Sequence, residues 1–166
     1  MLTRILGIDP GIAAMGYGII EEKDADLVTV DYGFLSTPAD QCTAERLRTL
    51  YWGLIDIIER HQPTEAAIEY FVGRNLKTAL LVGQARGVAV LAAANKGLAV
   101  ADYTPLEVKQ HVSGYGHGGK TQVQEMVRIQ LGLESVPEPD HAADALAVAI
   151  CHMSRARLSR LLTENR

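Results

Sequence analysis

The sequence is poor in the features that mark secreted, membrane or disulfide-stapled proteins. Its 166 residues contain only two cysteines, Cys42 and Cys151, at a spacing that matches no metal motif. Such a pair is expected as reduced thiols in a cytosolic protein, which argues against a disulfide framework. No apolar run reaches membrane-spanning length, and the N-terminus lacks a signal-peptide pattern. There is no internal repeat, low-complexity tract or linker-like stretch. Positive charge is also in deficit, with 16 Lys and Arg against 20 Asp and Glu for a net charge of −4. That balance argues mildly against nucleic-acid binding. What remains is ordinary globular composition, 48% hydrophobic and 22% charged, long enough for one domain with a sizeable core.

The charge is unevenly spread. Residues 1–70 carry twelve acids and five bases. From Phe71 to Lys120 there are six bases (Arg74, Lys77, Arg86, Lys96, Lys109, Lys120) and two acids, Asp102 and Glu107. A local basic face binds phosphates even when the total is negative, although lone Lys and Arg residues more often just solvate helix faces.

Hydrophobic patterning predicts three opening strands over residues 3–9, about 15–22 and about 27–35, arranged as an antiparallel meander. Leu47, Leu50, Leu54, Ile55 and Ile58 recur at helical spacing and predict a helix over 42–61, with Pro63 beyond its end. A short strand is expected at 66–69. A long Ala-, Val-, Leu- and Gly-rich helix follows over 75–95, with so thin a polar face that burial on more than one side is expected. Residues 98–102 read as a strand and 105–112 as a helix opened by Pro105. A glycine-rich loop over 113–119 then precedes helices over 120–131 and about 140–162. Strands first, then helices alternating with strands, point to one mixed-sheet α/β domain.

Acids end the buried segments. Asp9 closes the apolar run Ile5–Ile8, and Pro10 and Gly11 then turn the chain. A turn aspartate is the ordinary alternative. Glu69 closes Ala66-Ala67-Ile68, and neighbouring strands would bring the two acids together. His141 and Asp144 share a face of the last helix at i,i+3 spacing. Asp140 could join that face or serve as the helix N-cap. Ala142, Ala143, Ala145, Leu146 and Ala147 surround Asp144 and place it near the core. Clustered buried carboxylates require a cation, and oxygen ligands without partnering cysteines favour Mg²⁺ or Mn²⁺. Two such ions would activate a water and stabilise charge on a phosphate during in-line displacement.

The stretch Gly114-Tyr-Gly-His-Gly-Gly119-Lys120-Thr121 matches the phosphate-loop pattern of nucleotide-binding proteins letter for letter. That motif needs a buried strand before it, and residues 105–112 are too polar and too helix-like for one. A flexible loop that delivers Lys120 to a phosphate fits the context better.

Taken together, Gly7-Ile-Asp-Pro-Gly11 with Gly16-Tyr-Gly18, Ala67-Ile-Glu69, Gly83-Gln-Ala-Arg-Gly-Val-Ala89, Val108-Lys-Gln110, Lys120-Thr-Gln-Val-Gln124 and Ala142-Ala-Asp-Ala-Leu-Ala147 resemble the RuvC-type Holliday-junction resolvases. These segments run in family order over nearly the whole chain. The resemblance implies a single ribonuclease-H-like nuclease domain over residues 1–166, with a mixed five-stranded sheet flanked by helices. It implies a metal-dependent endodeoxyribonuclease that resolves four-way DNA junctions by paired symmetric nicks, leaving 5′-phosphate and 3′-hydroxyl ends, in recombination and repair. The implied catalytic and metal-binding set is Asp9, Glu69, His141 and Asp144, holding two Mg²⁺ or Mn²⁺ ions. Some family members have Asp where this chain has His141. A histidine ligand would soften the site towards Mn²⁺.

The family also implies a homodimer that works with the RuvA–RuvB branch-migration complex, and the cysteine usage and apolar run lengths add the expectation of a cytoplasmic protein without membrane contact. The helix segment Thr78–Ala94 is the candidate interface, with an intramolecular core helix as the alternative. Phe71 is the candidate wedge against junction bases, with Tyr70 able to fill the same role and a core aromatic as the plainer reading. Arg74, Lys77, Lys109 and Lys120 are expected on DNA phosphates. An RNA-cutting relative of the same fold, a phosphate-loop ATPase and a non-catalytic junction-binding module are the competing functions. Actin-like ATPases open with a similar strand but need a second half-domain that this chain is too short to hold.

Overall fold

The computed structural model describes residues 3–71, 73–114 and 118–164. Ten elements follow in chain order. β1 (Arg4–Asp9), β2 (Ala14–Lys23) and β3 (Asp26–Ser36) lead to α1 (Thr43–His61), β4 (Glu65–Glu69), α2 (Leu76–Asn95) and β5 (Ala99–Tyr103). α3 (Pro105–Ser113), α4 (Lys120–Gln130) and α5 (Asp140–Glu164) complete them. The strands form one five-stranded sheet in the order β3-β2-β1-β4-β5. β1, β2 and β3 pair antiparallel, as the patterning predicted, and β4 and β5 add in parallel beside β1.

Strand alternation divides the core in two. Leu6 and Ile8 of β1, Met15 and Ile19 of β2 and Ile68 of β4 face a cluster with Leu50, Leu54 and Ile58 of α1 and Ala85 and Ala89 of α2. Ile5, Ile20, Ala67 and Tyr103 face the other way, onto Leu146, Ala149 and Ile150 of α5. Successive strand residues point to opposite faces, so Asp9 lies on the Ile5 face and Glu69 on the Ala67 face. Both acids are therefore on the α5 side.

The caps explain the helix boundaries. Asn75 accepts from the Thr78 amide at the start of α2. Thr104 and Glu107 form a reciprocal capping box at the start of α3, with Pro105 in its first turn. α1 ends at Gln62 in the left-handed region, whose amide donates to the Ile58 carbonyl, immediately before Pro63. α5 starts at Asp140, and the Pro139 carbonyl accepts from Ala142. Asp140 is therefore the first helical residue and not the N-cap, the alternative role open to it from sequence.

α2 departs from expectation in one respect. Within a single chain it buries only an alanine ridge, Ala85, Ala89, Ala92 and Ala93. Leu76, Leu80 and Leu91 stay more than half exposed, so burial on several sides does not hold for one chain. By length and composition α2 is apolar enough to cross a membrane, contrary to the expectation that no run would reach that length, although Lys77 and Arg86 lie within the helix.

Glycines let α5 lie close on the sheet. A Cβ on Gly7 would meet the Ala145 carbonyl oxygen at 2.1 Å, and one on Gly16 would meet the His141 carbonyl oxygen at 1.9 Å. Gly18 lies beneath Leu146, whose side chain a Cβ would meet at 2.7 Å and whose amide nitrogen at 3.0 Å. Three missing side chains thus set the height of the helix that carries His141 and Asp144. Gly7→Ala is expected to push α5 off the sheet, costing about 1–3 kcal/mol as an overpacked core substitution does. Urea denaturation measures that loss, and an unchanged midpoint would mean that the contact is not tight.

Candidate active site

The β1–β4 register brings the first two acids together. The last paired residues are Ile8 and Ile68. One step further, Asp9 and Glu69 stand side by side on strands about 4.8 Å apart. The chain leaves β1 for β2 on one side of the sheet and returns as β4 on the other. Open α/β sheets characteristically bind ligands at such a reversal, at the carboxyl ends of the strands.

α5 brings the other two. His141 Nδ1 lies 3.2 Å from Asp9 Oδ2. Asp144 follows one turn later and raises the pKa of both strand acids through its charge. The side chain of Asp9 is only 15% exposed, that of Asp144 31% and that of His141 47%. The sequence-predicted set of Asp9, Glu69, His141 and Asp144 therefore meets at one place, from three elements.

Burial and crowding govern the protonation of these acids. Burial pushes the Glu69 carboxyl up to about 8, with the charge of Asp9, a hydrogen bond to it and the charge of Asp144 adding, and Lys109 opposing. Asp9 is pushed up to about 6 by burial and then by Asp144, while the Glu69 hydrogen bond and Lys120 act against the rise. The two carboxyls are hydrogen-bonded to each other and resist full ionisation, so they titrate as a pair. Burial also raises Asp144, against the pull of Lys120.

Asp140 plays a different part. Its carboxylate accepts from Lys120 Nζ at 2.7 Å and from Gln124 Nε2 at 3.1 Å. The Lys120 ammonium also stands 3.9 Å from Asp144. Asp140 therefore anchors a lysine beside the acids and leaves the position next to Asp9 to His141. Sequence reasoning could not separate these neighbours, because both lie in one helical turn.

The flanking aromatics separate as well. The Arg86 guanidinium lies over the Tyr70 ring, 5.1 Å from its centre, and pairs with Asp102 at 2.6 Å. Phe71 is 48% exposed and borders a cleft with Glu69, Asp144, Lys109 and Lys120. Neither is a core aromatic. Of the six bases from Phe71 to Lys120, Arg86 is committed to Asp102 and Lys96 to Glu59. Among the described residues Arg74 and Lys77 have no ion-pair partner.

The phosphate-loop reading fails on context, since the segment before Gly114 is the helix α3. The centre of that loop, residues 115–117, lies outside the described residues.

The donor set fits hard divalent cations. Three partly buried carboxyl groups cannot all ionise without strong mutual repulsion unless a cation joins them, and oxygen donors with a single imidazole and no thiol suit Mg²⁺ or Mn²⁺. Among the described residues no three such side chains are already arranged to hold one ion. Their lone pairs and protons are instead turned on one another, Glu69 and His141 to Asp9 and Lys120 to Asp144.

Comparison with known proteins agrees with this geometry. The family model for crossover junction endodeoxyribonuclease RuvC matches residues 5–152. The curated RuvC of Roseiflexus sp. is 53% identical over 99% of this chain and 98% of its own length. That of Chloroflexus aurantiacus is 58% identical over 90% of this chain and 92% of its own. The structure of Thermus thermophilus RuvC in complex with a Holliday junction substrate superposes with a TM-score of 0.89 at 34% identity, covering 95% of this chain and 96% of the other. The yeast mitochondrial resolvase Ydc2, 16% identical with a TM-score of 0.69, shares the fold. With its sheet, its helices and nearly its whole length matched, the chain belongs to the RuvC family of crossover junction endodeoxyribonucleases.

Proposed function

We propose that Asp9, Glu69 and Asp144, with His141, hold divalent cations at which this endodeoxyribonuclease hydrolyses a phosphodiester at a four-way DNA junction. The observation that carries this assignment is the meeting of two strand-end carboxylates with Asp144 beneath one face of α5. When bound, such ions supply an activated water and neutralise charge on the phosphate. Lys120 and Lys109, beside the acids, attract the flanking phosphates. His141, half exposed, is placed to ligate or to carry a proton. Arg74 and Lys77 extend the cationic surface along the start of α2. The half-exposed Phe71 bordering the acids, rather than the Arg86-covered Tyr70, suits a stacking role against junction bases. The whole chain acts as a single nuclease domain in the cytoplasm, where the DNA is.

Two nicks need two sites, and a four-way junction has two-fold symmetry that a homodimer matches. Leu80, Gly83, Gly87 and Leu91 form a stripe along α2, with open space where Cβ atoms on the two glycines would stand. A second copy packing there covers the leucines and uses the glycines for close helix approach. The same reading includes partnership with a RuvA–RuvB branch-migration complex, for which the family likeness is the support.

Asp9→Asn keeps the size and fold of the site but removes a ligand charge. It should bind synthetic junctions as wild type does and nick them at least 10²-fold more slowly. Gel-shift and single-turnover cleavage assays measure the two, and retained nicking would remove Asp9 from the ligand set.

The imidazole of His141 makes the site softer than an all-carboxylate one, so cleavage should favour Mn²⁺ over Mg²⁺. Titrating both ions tests this. Equal or better cleavage in Mg²⁺ counts against a His141 ligand.

The acids also set a pH dependence. Asp9 and Glu69 have folded pKa values above their ordinary ones, so the folded state keeps protons that the unfolded chain gives up. Their stabilising contribution is fully present below the ordinary carboxylate range and is lost as the pH rises through about 6 and about 8. In chelator, the melting temperature should fall between pH 5 and pH 9. Glu69→Gln, which mimics the protonated acid, should flatten that decline, and scanning calorimetry would show whether the variant keeps the wild-type slope.

A further inference from the structure

Glu69 stands where the support of its strand runs out. The pairing of β4 with β1 stops at Ile68, one residue short of it. Pairing with β5 continues one step further, with Glu69 opposite Tyr103, and the Tyr70 amide then donates to the Tyr103 carbonyl at 2.7 Å. Among the described residues no strand or helix follows until α2 begins at Leu76. A buried acid crowded by two others is repelled by their charge. The strand end that carries it therefore needs a restraint.

Arg86 of α2 supplies one. Its guanidinium lies over the Tyr70 ring, 5.1 Å from the centre, and its Nη2 pairs with Asp102 Oδ1 of β5 at 2.6 Å. Asp102 is in register with Ile68 and precedes Tyr103. One side chain thus joins the residue after Glu69 to the residue before its partner across the ladder. From α5, His152 Nδ1 lies 2.7 Å from the Tyr103 hydroxyl, so the end of β5 is tied to α5 as well as to α2. α2 is itself seated by Ala85 and Ala89 in the core cluster of Leu6, Ile8 and Ile68, which makes it a fixed reference for the strand end.

The burial of Arg86 marks this as a built contact. Its side chain is only 26% exposed, and its Nε is buried with no hydrogen-bonding partner among the described residues. Burying a guanidinium with a donor unmatched is costly, and the ring and the Asp102 carboxylate offset that cost. A planar guanidinium turns its face to a ring and its edge to a carboxylate at once, which a lysine ammonium cannot do.

We infer that Arg86 is a positioning residue for junction cleavage, clamping Tyr70 to Asp102 and so fixing Glu69 where the cations bind. The inference rests on the junction-nuclease reading above. Arg86 acts through the backbone of β4, since its partners are Tyr70 and Asp102 and not the acids of the site. Misplacing a reacting group by about 1 Å costs on the order of 10²-fold in rate. The effect therefore falls on the chemical step and on cation loading, and not on affinity for the junction.

Steady-state cleavage of a synthetic four-way junction by the full-length protein, with junction and Mn²⁺ each titrated, tests it. Arg86→Gln should lower kcat about tenfold or more, leave KM for the junction within about twofold and raise the Mn²⁺ needed for half-maximal rate several-fold. Arg86→Lys should recover little of the loss. Tyr70→Leu should reproduce it, while Tyr70→Phe, which keeps the ring, should cut as wild type does. The double variant Arg86→Gln/Tyr70→Leu should be no slower than the slower single variant, because both act through one contact. Tyr70 is 44% exposed, so its variants decide the matter if Arg86→Gln does not fold. Wild-type kcat in either single variant, or losses that multiply in the double variant, overturns the inference. A raised KM with unchanged kcat puts the pair on the DNA and overturns it too. So does an Arg86→Gln protein that sediments as a smaller species than wild type, since the loss then belongs to the exposed face of α2. A wild-type protein that cuts no junction overturns the nuclease reading itself.

Discussion

Two carboxylates placed side by side, with little water to solvate them, are the constraint on which this structure turns. Parallel pairing of β1 with β4 sets Asp9 beside Glu69, and α5 then covers that end of the sheet. Neither acid can ionise there as it would in solution. Burial and the charge of Asp144 push both upward, and the charge of Asp9 adds to the rise at Glu69. A site that opposes its own negative charge is one in which added positive charge is strongly favourable. The fold sacrifices stability at one sheet edge to hold a strong preference for cations.

That edge is held by the rest of the molecule. On the far face, α1 and α2 bury Leu6, Ile8, Ile19 and Ile68 and fix the strands. On the near face, α5 presses on Gly7, Gly16 and Gly18. The position of Asp144 follows from the missing side chains of three glycines as much as from its own helix. A second polar linkage lies further along α5, where His152 bonds Tyr103 of β5 and Glu65 of β4, each at 2.7 Å. α5 is thus attached to the sheet by close packing near the acids and by hydrogen bonds beyond them.

The negative net charge of the chain is consistent with an anionic substrate because charge is sorted in space. Several basic residues are committed to structural pairs: Arg4 with Glu21, Arg157 and Arg160 with Glu22, Arg86 with Asp102. Lys109 and Lys120 instead lie beside the buried acids, and Asp140 holds Lys120 there. Anionic DNA would meet this local field and not the average over the chain.

Much of this was legible before the fold was known. The opening meander, the five strands and the five helices follow from apolar periods, prolines and caps, with boundaries displaced by a residue or two. Asp9, Glu69 and Asp144 stood out because each interrupts or ends an apolar stretch, where a charge is costly. The α2 segment misled, because its composition reports apolar surface without saying whether the same chain or another covers it. Residues close in sequence were also beyond sequence reasoning. Asp140 and His141 share one helical turn, Tyr70 and Phe71 are adjacent, and only the packing of α4 and α2 against them shows which holds a lysine and which is stacked under Arg86. The sequence determined which acids would be costly to bury, since that depends on the apolar residues beside them in the chain. The tertiary structure alone decided that they face one another across a strand register, because that distance depends on elements some sixty residues or more apart.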